Sequence, residues 1–177
     1  MSKNPNSPGI FSRHHHENRQ DLAGEHPFGD AGQVIAIILF FIIWGLDSFV
    51  FRFSTALVCY IPLYLRLIDA AILLVISGYI ARSGLKTVFK EKRDPPQIIT
   101  TGVFGRARHP IYLAAILFYL GFIITTLSII SFVFLICVFL FYDYISAFEE
   151  KLLEKQFGQE YIKYKENTPK WLLRLSP

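Results

Sequence analysis

Residues 33–81 and 109–148 together contain only five charged side chains, Asp47, Arg52, Arg66, Asp69 and Asp143. No other feature constrains the fold as much. A soluble element needs a charged outer face, and 89 residues this poor in charge cannot supply one. Hydrophobic residues make up 53% of the 177-residue chain and charged residues 18%, against about 45–50% and about 25% in an average soluble domain. A water-soluble globular fold is excluded, as are a disordered chain and a secreted disulfide scaffold. The expectation is an all-α, polytopic membrane protein with about four transmembrane helices.

The remaining charges cluster in residues 1–32, 82–108 and 149–177. Residues 1–32 read as a mobile polar tail without helical or strand periodicity. Its His14-His15-His16 run lacks the Cys or carboxylate spacing that completes a metal site, and no metal is expected. The tail also lacks an apolar signal core, so insertion is expected to rely on the first span. Residues 33–177 then form a single transmembrane domain. Gln33–Phe51 is the first span, about the length that crosses a bilayer core. Residues 53–65 read as a turn or interfacial segment, and Leu67–Ala81 as most of the second helix, with Arg66 and Asp69 facing each other at its start. Ile111–Thr126 and Ile129–Tyr144 form a tight helical hairpin about Leu127-Ser128. Beyond Tyr144 the pattern turns amphipathic, as in a helix lying on the membrane surface. Cys59 and Cys137 sit in apolar runs and read as small packing residues.

Basic residues set the expected topology. Residues 82–108 carry seven and residues 149–177 carry six, while the Leu127-Ser128 turn carries none. The positive-inside rule places the connection, the C-terminal amphipathic helix and, with four spans, both termini in the cytoplasm. A net charge of +4 without a basic stripe interleaved with aromatics gives no reason to expect nucleic acid as a partner.

Three pieces converge on that face. Ile98-Ile99-Thr100-Thr101-Gly102-Val103-Phe104 is an extended apolar segment ending at a glycine turn. In Arg108-His109-Pro110-Ile111-Tyr112, Pro110 suits the first turn of a helix, where its missing N–H costs nothing. Glu149-Glu150 lies where the fourth helix leaves the bilayer. Hairpin pairing brings the Arg-His-Pro cap and the Glu pair to one height. Each piece has a plain structural role: a snorkelling arginine, a helix start, a solvated surface pair. Their order and spacing are far more specific than any one of them.

The run IITTGVFGRARHPIYLA, an apolar hairpin and EEKLLEKQFGQEYIKYKENTP together resemble the isoprenylcysteine carboxyl methyltransferases and their phospholipid N-methyltransferase relatives. The resemblance covers about residues 96–169. It implies a membrane enzyme that uses S-adenosylmethionine to methylate a lipid-borne or small apolar acceptor through a carboxylate, amine or thiol. It further implies that Pro96, Gln97, Ile98 and Ile99 line the cofactor and that Phe104 packs on it. His109, Pro110, Ile111 and Tyr112 would hold it from the helix start, and Glu149 would take a polar end. Arg108 and Glu150 are the candidate catalytic residues; no substrate-binding residue is identified. Carboxyl-methylating members carry an arginine four residues before the first Glu, where this chain has Ile145. Phe104 stands for a usual tyrosine, and Ala114 for a usual glycine.

The cofactor's chemistry agrees with these residue types. Glu149 can accept from an ammonium, a helix start beside Arg108 or His109 suits a carboxylate, and aromatic faces suit adenine or a sulfonium. Two other readings stand beside this one. Membrane sterol reductases resemble the same C-terminal half but use NADPH, and a non-catalytic membrane scaffold could retain the fold.

Overall fold

A computed structural model of the protein describes residues 29–89 and 97–172. Residues 1–28 of the polar tail, with the histidine run, lie outside these residues, as does Pro96; the last four residues expected in the tail, 29–32, instead begin the first helix. The described residues form helices and turns, with no strand among them. In hydrocarbon every backbone N–H and C=O must find its partner within the chain, and a helix achieves this inside one segment.

Helix α1 (Gly29–Gly45) continues into a π-helical turn, Leu46–Phe51. A short 3-10 turn at Ala56–Cys59 leads to α2 (Leu63–Phe89), followed by α3 (Pro110–Thr126), α4 (Ile129–Phe157) and α5 (Gln159–Asn167). Three stretches are long and apolar enough to cross a membrane: Ala31–Phe51, Leu63–Phe89 and Ile129–Phe157. Helix α3 has 17 residues, about 26 Å at 1.5 Å per residue, slightly under a bilayer core of about 30 Å. Of the four spans expected, three thus meet the length and the fourth is a shorter apolar helix. Every residue of α3 is buried or half-buried.

Helix α2 is longer than its apolar centre, because Pro62 starts it before Arg66 and nothing breaks it before Phe89. It runs antiparallel to α3 in close contact. A methyl added at Gly84 would sit 2.9 Å from Ile111 Cγ1, and one at Gly121 would sit 3.0 Å from the Leu74 side chain. Between these points, Ser77 Oγ donates to the Ala114 carbonyl at 2.7 Å. Such small residues let helices associate where lipid supplies no hydrophobic drive between them. Arg66 closes the far end. It does not face Asp69, which is exposed. Its guanidinium donates instead to the Ile61 carbonyl at 3.1 Å and to the Thr125 carbonyl. An arginine with five donors gains more from the open carbonyls ending α3 than from one carboxylate on its own helix.

Asp47 organises the same end of the bundle. Leu127 turns the α3–α4 hairpin with φ 50°, and Arg52 leaves the π turn with φ 51°, both in the left-handed region that side chains disfavour. The Asp47 carboxylate ties the two turns together. It accepts from Ser54 N at 3.0 Å, Ser54 Oγ at 2.5 Å and Ser128 Oγ at 2.5 Å. Ser128 caps α4 by accepting from Ser131 N at 3.1 Å, and Ser54 Oγ accepts from Ile130 N at 3.0 Å. Thr126 Oγ1 adds bonds from Trp44 Nε1 at 3.0 Å and Ser48 Oγ at 2.8 Å. Asp47 is therefore a structural acid, whose charge is met by N–H and O–H donors instead of a cation.

Helix α4 contains neither glycine nor proline, so it runs past Tyr144 without a break and ends at Gly158, where φ is +56°. At about 43 Å, its 29 residues outreach the bilayer core and carry Glu149 and Glu150 to its edge. The amphipathic pattern expected after Tyr144 is thus divided between the end of α4 and the separate α5, whose Tyr161 is buried while Lys163 and Glu166 are exposed.

Replacing Asp47 removes the acceptor for three donors at once. Asp47→Ala should lower unfolding stability in detergent by about 3 kcal/mol, with Asp47→Asn retaining part of it. Thermal unfolding of the purified variants checks this; an unchanged midpoint for Asp47→Ala would contradict the role given to this acid.

Candidate active site

The two-residue turn at Leu127-Ser128 sets α3 and α4 antiparallel, so the start of α3 lies beside the Glu pair of α4. Pro110 is the first helical residue and is fully buried, as its sequence position suggests. His109 precedes it but does not cap its own helix. Its imidazole turns toward α4, with Nε2 3.1 Å from Glu150 Oε1 and Nδ1 3.7 Å from Glu149 Oε2. Tyr112, one turn on, donates its hydroxyl to Glu149 Oε1 at 2.5 Å. Arg108, His109, Tyr112, Glu149 and Glu150 thus form one cluster, as the sequence suggested.

Glu150 is the most enclosed member, with only 6% of its side chain exposed. Besides His109 it faces Arg108 Nε at 3.2 Å and Lys165 Nζ at 3.3 Å. The Arg108 contact is an ion pair by distance, but the N–H is not aligned with the carboxylate: Nε is buried without a hydrogen-bond acceptor. The other end of the guanidinium donates to the Lys165 carbonyl at 2.9 Å. Lys165 also reaches Glu154 at 2.6 Å. No spacing rule points to a lysine of α5 as completing this network, since the turn at Gly158 is what brings it back toward α4.

Burial pushes the His109 imidazole below its usual pKa, aided by the nearby charges of Lys170 and Arg108 and opposed by Glu150. A neutral His109 donates from Nε2 to Glu150, which makes Nδ1 an acceptor. Nδ1 and Glu149 Oε2 are then two acceptors facing each other, an arrangement that suits a cationic group. Burial also raises the Tyr164 phenol, which stays protonated and donates to the Phe104 carbonyl at 2.6 Å. This bond ties α5 to the Gly102–Gly105 turn.

The remaining site residues are more dispersed. Gln97 is exposed and Ile98 and Ile99 half-buried on the extended segment before that turn. Phe104 is half-buried. Ile111 points to α2, against Gly84. The Tyr112 ring stacks on His109 at 5.8 Å and 11°, and on Tyr142 at 5.0 Å and 8°. Tyr142 is a neighbour the sequence did not reveal, because it looks like any aromatic of an apolar helix. Ile145 is 1% exposed, so the position that holds arginine in the carboxyl-methylating proteins faces the core here.

A strap of chain after α5 crosses the start of α3. The carbonyls of Pro169 and Lys170 accept from Arg108 N at 2.9 Å and His109 N at 3.3 Å. These backbone donors at the head of α3 are therefore engaged within the chain. No group of three or more His, Cys, Asp or Glu side chains among the described residues forms a metal site.

No curated protein and no solved structure matches the chain at a significant level. The sequence model of the phospholipid methyltransferase family matches residues 63–160. That match takes in α2, where the sequence motifs alone gave only hydrophobicity, and it spans the α3–α4 hairpin with the His109, Tyr112, Glu149 and Glu150 cluster. Covering more than half of the chain, it shows that this multi-pass membrane protein belongs to the phospholipid methyltransferase family.

Proposed function

We propose that the protein transfers a methyl group from S-adenosylmethionine to a lipid-borne or small apolar acceptor at the α3–α4 cluster. The observation that carries this reading is the acidic corner, where Glu149 Oε2 and His109 Nδ1 face each other at 3.7 Å beside aromatic rings. The donor set fits the cofactor. Two adjacent acceptors suit its ammonium, and aromatic faces suit a sulfonium. Glu149, His109, Tyr112 and Phe104 would hold the cofactor directly. Pro96, Gln97, Ile98 and Ile99 would flank it, and Pro110 and Ile111 would support it by packing.

Bound there, the cofactor supplies an electrophilic methyl group on a cationic sulfur. The protein's part is chiefly alignment and exclusion of water. The unaligned Arg108 N–H leaves Glu150 lone-pair capacity beyond His109 and Lys165, so Glu150 is assigned to take the proton that an amine or thiol acceptor loses, with Arg108 holding its carboxylate in place. Because Ile145 is buried where an arginine would meet a substrate carboxylate, an amine or thiol acceptor fits better than a carboxylate. The distribution of basic residues supports a cytoplasmic active face with both termini on that side.

Purified protein should bind S-adenosylhomocysteine and not NADPH in equilibrium titrations. The reverse result would favour a reductase, and binding of neither would favour a scaffold. Glu149→Gln should weaken S-adenosylhomocysteine binding about tenfold, the loss expected for one charged hydrogen bond, while the melting midpoint stays near wild type. An unaltered dissociation constant would remove Glu149 from the cofactor site.

His109 adds a pH dependence whose sign is fixed. Its folded pKa lies below the unfolded value of about 6.5, so the folded state binds fewer protons than the unfolded state. The stability contributed by neutral His109 is present above about pH 6.5 and lost as pH falls below it. The melting midpoint should decline as pH falls below about 6.5, and more weakly in His109→Gln. Equal slopes for the two proteins would contradict a buried neutral imidazole.

A further inference from the structure

The chain after α5 does more than end the fold. Asp143, on α4 six residues before Glu149, binds two consecutive side chains of the strap. Lys170 Nζ lies 2.5 Å from Asp143 Oδ1 and donates also to the Asp143 carbonyl at 3.2 Å. Trp171 Nε1 donates to the same Oδ1 at 3.2 Å. The Lys170 ammonium lies 5.5 Å from the centre of the Trp171 ring. That ring packs on Phe139 at 5.3 Å and approaches His109 at 6.1 Å. The strap's backbone also pairs with the head of α3, through the Pro169 carbonyl to Arg108 N and the Lys170 carbonyl to His109 N. One carboxylate on α4 is thereby linked, through the three strap residues Pro169, Lys170 and Trp171, to the backbone and ring of the histidine that borders Glu149.

We infer that Asp143 is a positioning residue for the methyl-donor site. It latches the Pro169–Trp171 strap, and the strap fixes the backbone of Arg108-His109 and covers the outer side of the imidazole. This sets the direction from which His109 and Tyr112 face Glu149. The inference rests on the function proposed above. Asp143 makes no hydrogen bond or ion pair to the cluster: its carboxylate bonds to Lys170 and Trp171, and its charge reaches His109 only through space. One exposed ion pair contributes little on its own, but here it shares its acceptor with an indole N–H and is joined to two backbone bonds. The latch therefore acts as one unit, and loss of either partner should have the same consequence.

The test uses the full chain with S-adenosylhomocysteine as probe. Asp143→Asn and Lys170→Gln should each raise the dissociation constant about fivefold, the size of a well-made ion pair. The double variant should be no weaker than either single one, because both changes break the same contact. Lys170→Arg, which keeps the cation, should bind as wild type does. A second readout is independent of the cofactor. The chain has two tryptophans, so in a Trp44→Phe background the emission comes from Trp171. Opening the latch should shift that emission to the red and make it more accessible to a water-soluble quencher. Additive effects in the double variant, or unchanged affinity and unchanged Trp171 emission in both single variants, would overturn the inference while leaving the donor site standing. Failure of the wild-type protein to bind S-adenosylhomocysteine would overturn the donor-site reading, and this inference with it.

Discussion

The geometry of the site depends on a turn at the opposite end of the bundle. Leu127 and Ser128 join α3 to α4 with no residue to spare, so the register of the two helices is set there. His109 lies 18 residues before Leu127 and Glu149 lies 21 after Ser128, so the antiparallel hairpin brings them to a similar height, where their side chains meet. The turn places Leu127 in the left-handed region, which side chains disfavour. The Asp47 carboxylate and the Ser54 and Thr126 hydroxyls secure it by binding the segment after α1 to the α3–α4 corner. A polar knot at one face of the membrane thus aligns the reactive groups at the other.

The second constraint is the contact between α2 and α3. Gly84, Ser77 and Gly121 mark a line along which the two helices approach closely, and Arg66 ends that line at the Thr125 carbonyl. Helix α3 is slightly short for a bilayer core and is enclosed by its neighbours, so it is better regarded as the bundle's centre than as one of several equivalent spans. Its head carries His109 and Tyr112, and its burial explains why those side chains turn toward α4. The cluster is then completed from outside the spans by Lys165 of α5 and by the strap.

The hairpin and the His109–Glu150 cluster were legible in the sequence because their signals are local. A proline opens α3, two residues interrupt the apolar run, and two glutamates end it. The length of α4 was also written there, since no glycine or proline precedes Gly158, yet the change to an amphipathic pattern at Tyr144 suggested a boundary that the backbone does not observe. What the sequence did not show are partnerships between distant side chains. Asp47 meets Ser128, Arg66 meets Thr125, and Asp143 meets Lys170 and Trp171, each through three-dimensional packing and without a spacing rule. Arg66 is instructive: a helical i,i+3 rule pointed to Asp69, but the unsatisfied carbonyls at the end of α3 offered stronger acceptors. The same limit applies to the acceptor, because Ile145 identifies only a substrate group that this site lacks the arginine to receive.

The central claim is that the α3–α4 cluster performs methyl transfer at a membrane. Membranes containing the wild-type protein, incubated with S-adenosylmethionine carrying a labelled methyl group, test it most directly. Label should enter the lipid-soluble fraction with wild-type protein, and at a much lower rate with Glu149→Gln protein present in equal, folded amount. Label that never exceeds the level of membranes lacking the protein, or that is transferred equally well by Glu149→Gln, would contradict it.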